Sequence, residues 1–307
     1  MRSASSVDTV IAVPLAVAAG ATFAVASVLQ QRVARTAPRS DALHLRLLVD
    51  LARRRVWVAG VLLGVLSFGL QGLALTFGPL ALVQPLIVTD LLFALPLAAR
   101  LYRVRPGRRE YAGAAAIAGG LALFLVTAHP SAGLAVPALY AWVPVLAGVG
   151  GAATVLVTLG QRTTGALRTS LLAAAAGAAF GLMSALLKAV THLLSEGLVA
   201  TFGSWEIWAL SVSAIGGFVL AQSAFQAGPL AISLPLIDVL EPVTATVIGA
   251  TAFREAVPLS ASSLTAQAGG ALMVVVGIVL LDGSPLVREA QRAAGVPAPR
   301  PSDVGIG

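Results

Sequence analysis

The stretch GPLALVQPLI at residues 78–87 returns almost unchanged as GPLAISLPLI at residues 228–237, an offset of 150 residues. The same offset carries Ala118-Gly119-Gly120 onto Ala268-Gly269-Gly270. Upstream, four residues recur at an offset of 157, namely Gly20, Phe23, Ser27 and Leu29 as Gly177, Phe180, Ser184 and Leu186. A nearly constant offset through three motifs indicates an internal duplication.

The composition predicts that lipid surrounds most of the chain. Of 307 residues, 58% are hydrophobic and 11% charged, whereas soluble domains approach about a quarter charged. The absence of cysteine excludes disulfides and thiolate sites, and the presence of only three histidines argues against a His-built metal site. No nucleophile–base or phosphate-loop motif is found, so we expect no enzyme and no cofactor. The net charge of +7 suits lipid headgroups better than nucleic acid.

Apolar runs long enough to cross a bilayer predict an all-α, polytopic membrane protein of about nine transmembrane helices. They cover residues 9–29, 56–77, 79–99, 110–127, 138–159, 169–190, 205–226, 229–252 and 263–281. Within a single transporter domain, 1–282, the first four spans form repeat one (9–127) and the last four repeat two (169–281). Span 138–159 is then a linker helix. Residues 283–307 are expected to form a disordered tail.

The number of spans by which the two copies are displaced predicts the symmetry of the fold. Two copies displaced by five spans, an odd number, must lie in opposite orientations, which is the inverted repeat of secondary transporters. A duplication without transport would leave the same pattern. The first span could instead be a cleaved signal peptide, because Arg2 precedes an apolar run that ends in small residues.

The basic residues predict the orientation. Of the 20 Lys and Arg residues, all but Arg2, Lys188 and Arg254 fall on one side of the nine predicted spans. The positive-inside rule places that side, with the loop 30–55 and the C-terminus, in the cytoplasm and the N-terminus outside. We therefore expect a multi-pass protein of the cytoplasmic membrane.

Three acidic residues are candidates for a substrate- or ion-binding site. Asp90 falls near the middle of its predicted span, and Asp238 and Glu241 near the middle of theirs. A charge at this depth costs about 2.5 to 3.5 kcal/mol on insertion scales. Asp238 and Glu241 share a helix face, so they would titrate as a pair. They could bind a cationic solute, a proton or Mg²⁺, or they could be protonated acids that bond to glutamines.

The remaining candidate residues lie on or beside the same spans. Gln84 and Gln222 are expected to bind the solute or to donate to the carboxylates. Pro85, Pro235 and Pro242 each remove a backbone hydrogen bond, and kinked helices at matching positions of two halves point to a transport site.

Three residues at span ends are expected to have structural roles. Gln30 and Gln31 are expected to cap the first span at the membrane interface. Lys188 is expected to extend to the headgroups, with a helix carboxylate as the alternative partner.

These motifs also resemble a known superfamily. Leu240-Glu241-Pro242-Val243, with Gly228-Pro229-Leu230 before it and Arg254-Glu255 after it, is similar to the closing helices of EamA-type proteins of the drug/metabolite transporter superfamily. The Gly-Pro-Leu-Ala turn with Gln84-Pro85-Leu86 and nine spans also looks like the NIPA-type branch. The first resemblance implies a duplicated carrier with Glu241 as a site residue, and the second implies Mg²⁺ transport.

These observations predict a secondary transporter that moves a small metabolite or cation by alternating access, with proton coupling as an option. A NIPA-type Mg²⁺ transporter is the alternative within transport. From a different class, a membrane scaffold or lipid-binding subunit remains open. The expected partners are membrane lipids, the solute and a second copy of the chain in a homodimer.

Overall fold

The computed structural model describes residues 6–77, 83, 86–87, 89–102, 107–127, 134–255 and 260–282. Every regular element among them is helical, because in lipid a helix satisfies its own backbone hydrogen bonds. The helices are α1 (Ser6–Ala34), α2 (Leu45–Ala52), α3 (Arg55–Phe77), α4 (Asp90–Tyr102), α5 (Arg108–Thr127), α6 (Leu139–Arg162), α7 (Gly165–Glu196), α8 (Leu198–Gly203), α9 (Trp205–Ala227), α10 (Leu230–Thr251) and α11 (Ala261–Asp282).

Within the described ranges, seven helices are long and apolar enough to cross a bilayer. They lie in α1, α3, α6, α7, α9, α10 and α11. The protein is therefore an all-helical, multi-pass membrane protein. The predicted span 110–127 coincides with α5, a helix of 20 residues. The structure describes only part of the predicted span 79–99. The second half of that span, from Asp90 onwards, forms the first part of α4.

Two groups of helices pack in the same order. Helix α1 packs along α3 and α4, and α7 packs along α9 and α10. A Cβ at Gly20 would lie 2.7 Å from the Ile87 carbonyl oxygen, and one at Gly177 would lie 3.0 Å from that of Ile237. Only glycine allows backbones to approach this closely.

Helices α5 and α11 join the two groups through a reciprocal glycine contact. A Cβ at Gly120 would lie 2.5 Å from the Gly270 carbonyl oxygen, and one at Gly270 would lie 2.6 Å from that of Gly120. Helix α6, the predicted linker, packs mainly on α7 and leaves most of its surface exposed.

The segment between α1 and α3, expected as a loop, is largely ordered against the bundle. It contains a 3₁₀ turn and the amphipathic helix α2, which buries Leu47 and Leu51. The Leu43 backbone N–H donates to Ser223 Oγ at 3.0 Å, and Gln226 Nε2 donates to the Pro38 carbonyl at 2.7 Å. Short amphipathic helices escape a search for long apolar runs, although the four-residue spacing of these leucines is a helix signal.

Helix ends near Gly228 define one end of the bundle. A tight turn at Gly228-Pro229, where the predicted spans 205–226 and 229–252 meet, separates α9 from α10. Gln31, near the end of α1, donates to the Gly228 carbonyl at 2.7 Å, and Gly228 also touches Thr169 at the start of α7. We call this the arginine-rich end, because most of the arginines follow or precede helices here.

At the opposite end, α7 runs beyond its predicted limit of 190 to Glu196. Gly197, with φ +123°, ends the helix in a conformation that side-chain-bearing residues rarely adopt.

Candidate functional site

Asp90 begins α4 and is 2% exposed. Its Oδ1 accepts a hydrogen bond from the Leu91 backbone N–H at 2.7 Å. A carboxylate at a helix N-terminus faces the positive end of the helix dipole, which partly offsets the cost of burial. Gly20 allows α1 to reach the Asp90 backbone here, so the carboxylate is held between two helices.

Asp238 and Glu241 lie one turn apart on α10, which packs against α4. Asp90 and Glu241 both lie within electrostatic range of Asp238, so the three predicted acids lie in the same region of the bundle. We call Asp90, Asp238 and Glu241 the acidic cluster. None of its members forms an ion pair with a described cation.

The two acids on α10 differ in their hydrogen bonds. Glu241 Oε1 accepts from the Ser184 hydroxyl of α7 at 3.1 Å. Asp238 Oδ2 is buried and has no hydrogen-bond partner among the described residues. A buried acceptor without a partner is costly, so Asp238 is the member of the cluster most in need of a ligand.

Pro235 and Pro242 lie inside α10, as the sequence predicts. Because proline has no N–H, the carbonyls four residues earlier, those of Ala231 and Asp238, lose their helical partners. The described part of the site thus offers one carboxylate oxygen without a partner and two carbonyl oxygens without their helical N–H. Such oxygens accept hydrogen bonds and do not donate them. This chemistry suits a cation or a proton rather than an anion.

A narrow cavity lies between α4 and α10 on the arginine-rich side of the cluster. It holds about 10 Å³, roughly the room for one water molecule. Its walls are apolar: Leu91, Ala94, Leu95, Ala98, Leu230, Ala231, Leu234, Pro235 and Leu281. Leu91 follows Asp90 directly in the chain, but none of the three acids lines the cavity.

Gln222 belongs to a separate polar network at the arginine-rich end. Its Oε1 accepts from Trp57 Nε1 at 2.9 Å, and its Nε2 donates to Gln30 Oε1 at 2.7 Å. The amide is 0% exposed and both of its ends are bonded within this network, not to the acidic cluster. We call Trp57, Gln222 and Gln30 the amide network.

Gln30 and Gln31 were expected to cap the first span at the membrane interface; the structure shows that α1 continues past them to Ala34 and that both side chains are buried in the bundle. They are 7% and 0% exposed, because Gln30 joins the amide network and Gln31 holds the Gly228 turn. Hydropathy marks them as the polar end of a span, but the partners that bury them are far away in the sequence.

Lys188 forms an ion pair with Glu255, just beyond the end of α10. Its ammonium also lies 4.5 Å from the centre of the Phe253 ring. The lysine therefore has a carboxylate partner, but not one inside a helix.

Three further observations concern the predicted site. Gln84 and Pro85 lie outside the described residues. Within the described part of the chain, no group of three His, Cys, Asp or Glu side chains is close enough to hold a metal ion. Ser184 was not predicted as a site residue, although it belongs to the Ser27/Ser184 pair of the duplication and so carried a signal.

Comparison with known proteins identifies one relevant relative. An uncharacterized protein of Corynebacterium glutamicum is 32% identical over 244 residues, which cover 78% of this chain and 83% of the relative. No family model matches the chain, and no solved structure gives a significant match. At this identity and coverage, the chain belongs to the same family as the corynebacterial protein.

Proposed function

We propose that this protein is a secondary transporter that carries a small metabolite or cation across the cytoplasmic membrane. The observation that carries the proposal is the acidic cluster, three acids in one region of a bundle of apolar helices, with Asp238 Oδ2 lacking a hydrogen-bond partner among the described residues. Each ionised acid at this depth costs about 2.5 to 3.5 kcal/mol or more, and such residues typically mark ion and substrate pathways.

The chemistry of the cluster favours a cationic cargo with proton coupling. The acceptor oxygens of Asp238 and Glu241 can bind an ammonium group or, when protonated, release it. Binding of the cargo and binding of protons then compete for the same carboxylates. An imposed proton gradient would therefore drive the cargo in the opposite direction.

An inverted repeat would supply the two access states. The contacts of Gly20 with Ile87 and of Gly177 with Ile237 are equivalent under the duplication. The reciprocal contact of Gly120 and Gly270 is what a two-fold axis between α5 and α11 would produce. Two such halves can rock around a central site and expose it to one side at a time.

The resemblance to EamA-type members of the drug/metabolite transporter superfamily supports a duplicated carrier with Glu241 at the site, and the nine predicted spans resemble the NIPA-type branch. The excess of arginine at one end favours a cytoplasmic location for that end, with the N-terminus outside.

The proposal is tested by flux into liposomes that contain purified protein, a pH dye and a Mg²⁺ dye. The challenge is a panel of amines, amino acids and Mg²⁺, applied to the wild-type protein and to an Asp238→Asn/Glu241→Gln variant. We expect an amine-dependent pH signal that the variant lowers about tenfold or more, which corresponds to about 1.4 kcal/mol of lost stabilisation.

Each other outcome favours a different function. A Mg²⁺ signal that the variant loses would replace the amine by Mg²⁺ as cargo. No flux of any panel member, from protein shown to be folded, would contradict the carrier and favour a scaffold or lipid-binding subunit.

A further inference from the structure

Helix α2 has two apolar faces, of which the bundle covers only one. Leu47 and Leu51 face the bundle and are 0% and 2% exposed. Leu45, Val49 and Ala52 follow each other at four- and three-residue spacing, so they share a second face of the helix. All three are exposed, Leu45 by 62% and Val49 by 54%. This second face therefore has no cover within the described part of the chain.

Charged side chains occupy a third face of α2. Arg46, Asp50 and Arg53 recur at the same helical spacing and form ion pairs of 3.6 and 3.8 Å, and both arginine side chains are 77% exposed. The next two residues, Arg54 and Arg55, are also exposed, and neither forms an ion pair with a described acidic side chain. This segment thus carries four arginines and one aspartate, a net charge of +3.

The connection to α3 places α2 at the boundary of the membrane. Helix α3 is one of the seven long apolar helices and begins at Arg55. Only Arg53 and Arg54 separate it from the end of α2, a distance of at most about 11 Å along the chain. A short helix with an exposed apolar face beside a charged face is typical of helices that lie in the interface between headgroups and hydrocarbon.

We propose that α2 and the arginines that follow it form a binding site for an anionic phospholipid of the leaflet at the arginine-rich end. An acyl chain packs on Leu45 and Val49. The phosphate of the headgroup contacts Arg54 and Arg55, whose guanidinium groups can each donate two parallel hydrogen bonds to it. The net charge of +3 decides between lipids, because basic side chains near a membrane surface favour anionic over neutral headgroups. Lipid binding at α2 does not depend on the transport activity, so either can fail alone.

The test counts bound lipids by native mass spectrometry on the full-length protein in a neutral detergent. The protein is titrated with phosphatidylglycerol or with phosphatidylcholine of the same acyl chains. We expect the first bound phosphatidylglycerol to have an affinity higher than that of phosphatidylcholine by about tenfold or more. Arg54→Gln/Arg55→Gln should lower this affinity about 25-fold, because each arginine near an anionic headgroup contributes about fivefold, or about 1 kcal/mol.

A second pair of adjacent, exposed arginines provides the matched control. Arg108 and Arg109 begin α5 at the same end of the bundle. Arg108→Gln/Arg109→Gln removes the same amount of charge from a surface outside α2. This variant should leave the affinity for the first phosphatidylglycerol within about twofold of the wild-type value. Equal losses in the two double variants, or equal affinity for the two lipids, would overturn the site.

Nitroxide labels test the position of α2 independently, because the chain has no cysteine of its own. Single labels at Leu45→Cys, Val49→Cys and Arg46→Cys are compared in liposomes that contain phosphatidylglycerol. We expect oxygen, which dissolves in hydrocarbon, to reach the first two labels, and a water-soluble nickel chelate to reach the third.

Two results of the labelling experiment would overturn the placement of α2 in the membrane. One is equal access of the chelate to all three labels. The other is spin–spin coupling between Val49→Cys labels, since a second copy of the chain would then cover this face. The labelled positions are exposed, so this test stays valid should Arg54→Gln/Arg55→Gln fail to fold.

Discussion

At Gly20, α1 meets the backbone of Ile87 and Asp90, and at Gly177, α7 meets Ile237 and Leu240. The two contacts use a glycine in the same way, and the predicted duplication would relate them. Their chemistry differs, since the position of Asp90 in one contact is that of Leu240 in the other. Packing has thus been kept in both halves of the chain, whereas acidic residues occupy different positions in each half.

This difference indicates how the acidic cluster is assembled. Asp90 comes from one half, and Asp238 and Glu241 come from the other, two and one residues away from the positions that would mirror it. The cluster therefore lies where the halves meet and depends on both. Relative motion of the halves would change the distances among its carboxylates.

The largest expected effect concerns the shared packing. Gly20→Val and Gly177→Val each place a side chain against backbone, at 2.7 Å from the Ile87 carbonyl oxygen and 3.0 Å from the Ile237 carbonyl oxygen. Each should lower the free energy of unfolding by about 1 to 3 kcal/mol or more. Thermal denaturation of purified protein in detergent would measure it. Gly148→Val is the control, because no atom lies within 4 Å of a Cβ there.

A second prediction separates the chemistry of Asp90 from its packing. Asp90→Leu, which copies the counterpart Leu240, should leave thermal stability unchanged or higher, because a buried acid with one backbone partner among the described residues is replaced by an apolar side chain. Flux of the amine in liposomes should fall about tenfold. Undiminished flux would remove Asp90 from the site. Leu240→Met serves as the matched control for a change at the equivalent packing position.

Much of the fold could be predicted from the sequence, because hydropathy reports the surrounding lipid directly. The predicted span 205–226 differs from α9 (Trp205–Ala227) by a single residue at its end, and the Gly228-Pro229 turn is where the dipeptide indicates. Helix α2 could not be predicted in this way, since its eight residues are too short to cross a bilayer.

The sequence predicts which residue types form the site, but it does not predict how they are arranged in space. Acids within apolar spans are conspicuous, but the approach of Asp90 to Asp238 depends on packing between distant segments. Gln222 was predicted as a site residue because it is a polar side chain within an apolar span. In the structure its partner is Trp57, 165 residues away in the chain. Polarity within a span therefore reveals that a partner exists without identifying it.

A third, smaller effect concerns the hydrogen bond between Ser184 and Glu241. Ser184→Ala removes one donor from the carboxylate, a contribution of about 0.5 to 1.5 kcal/mol. The concentration of amine that gives half-maximal flux should change about two- to tenfold. Ser213→Ala, whose hydroxyl bonds to the Ala179 carbonyl, should leave this concentration unchanged. Equal shifts in both variants would mean that Ser184 acts through packing alone.

The smallest effect is expected at the ion pair of Lys188 and Glu255. The lysine side chain is 44% exposed, and such pairs contribute about 0 to 1 kcal/mol. A double-mutant cycle with Lys188→Met and Glu255→Gln should give a coupling energy in thermal unfolding below about 1 kcal/mol, weaker at high salt. A coupling energy well above this value would mean that the pair holds α7 to the end of α10.

The most direct test of the acidic cluster measures flux for four variants, in each of which one acidic side chain is replaced by its neutral amide. Asp90→Asn, Asp238→Asn, Glu241→Gln and Glu110→Gln would be reconstituted at equal amounts of folded protein. Glu110 is 1% exposed but lies at the arginine-rich end, where it accepts from the Gly107 N–H. We expect the first three variants to lose about tenfold or more of the proton-linked amine flux and Glu110→Gln to retain it. Equal flux in all four, or equal loss in all four, would contradict a transport site at Asp90, Asp238 and Glu241.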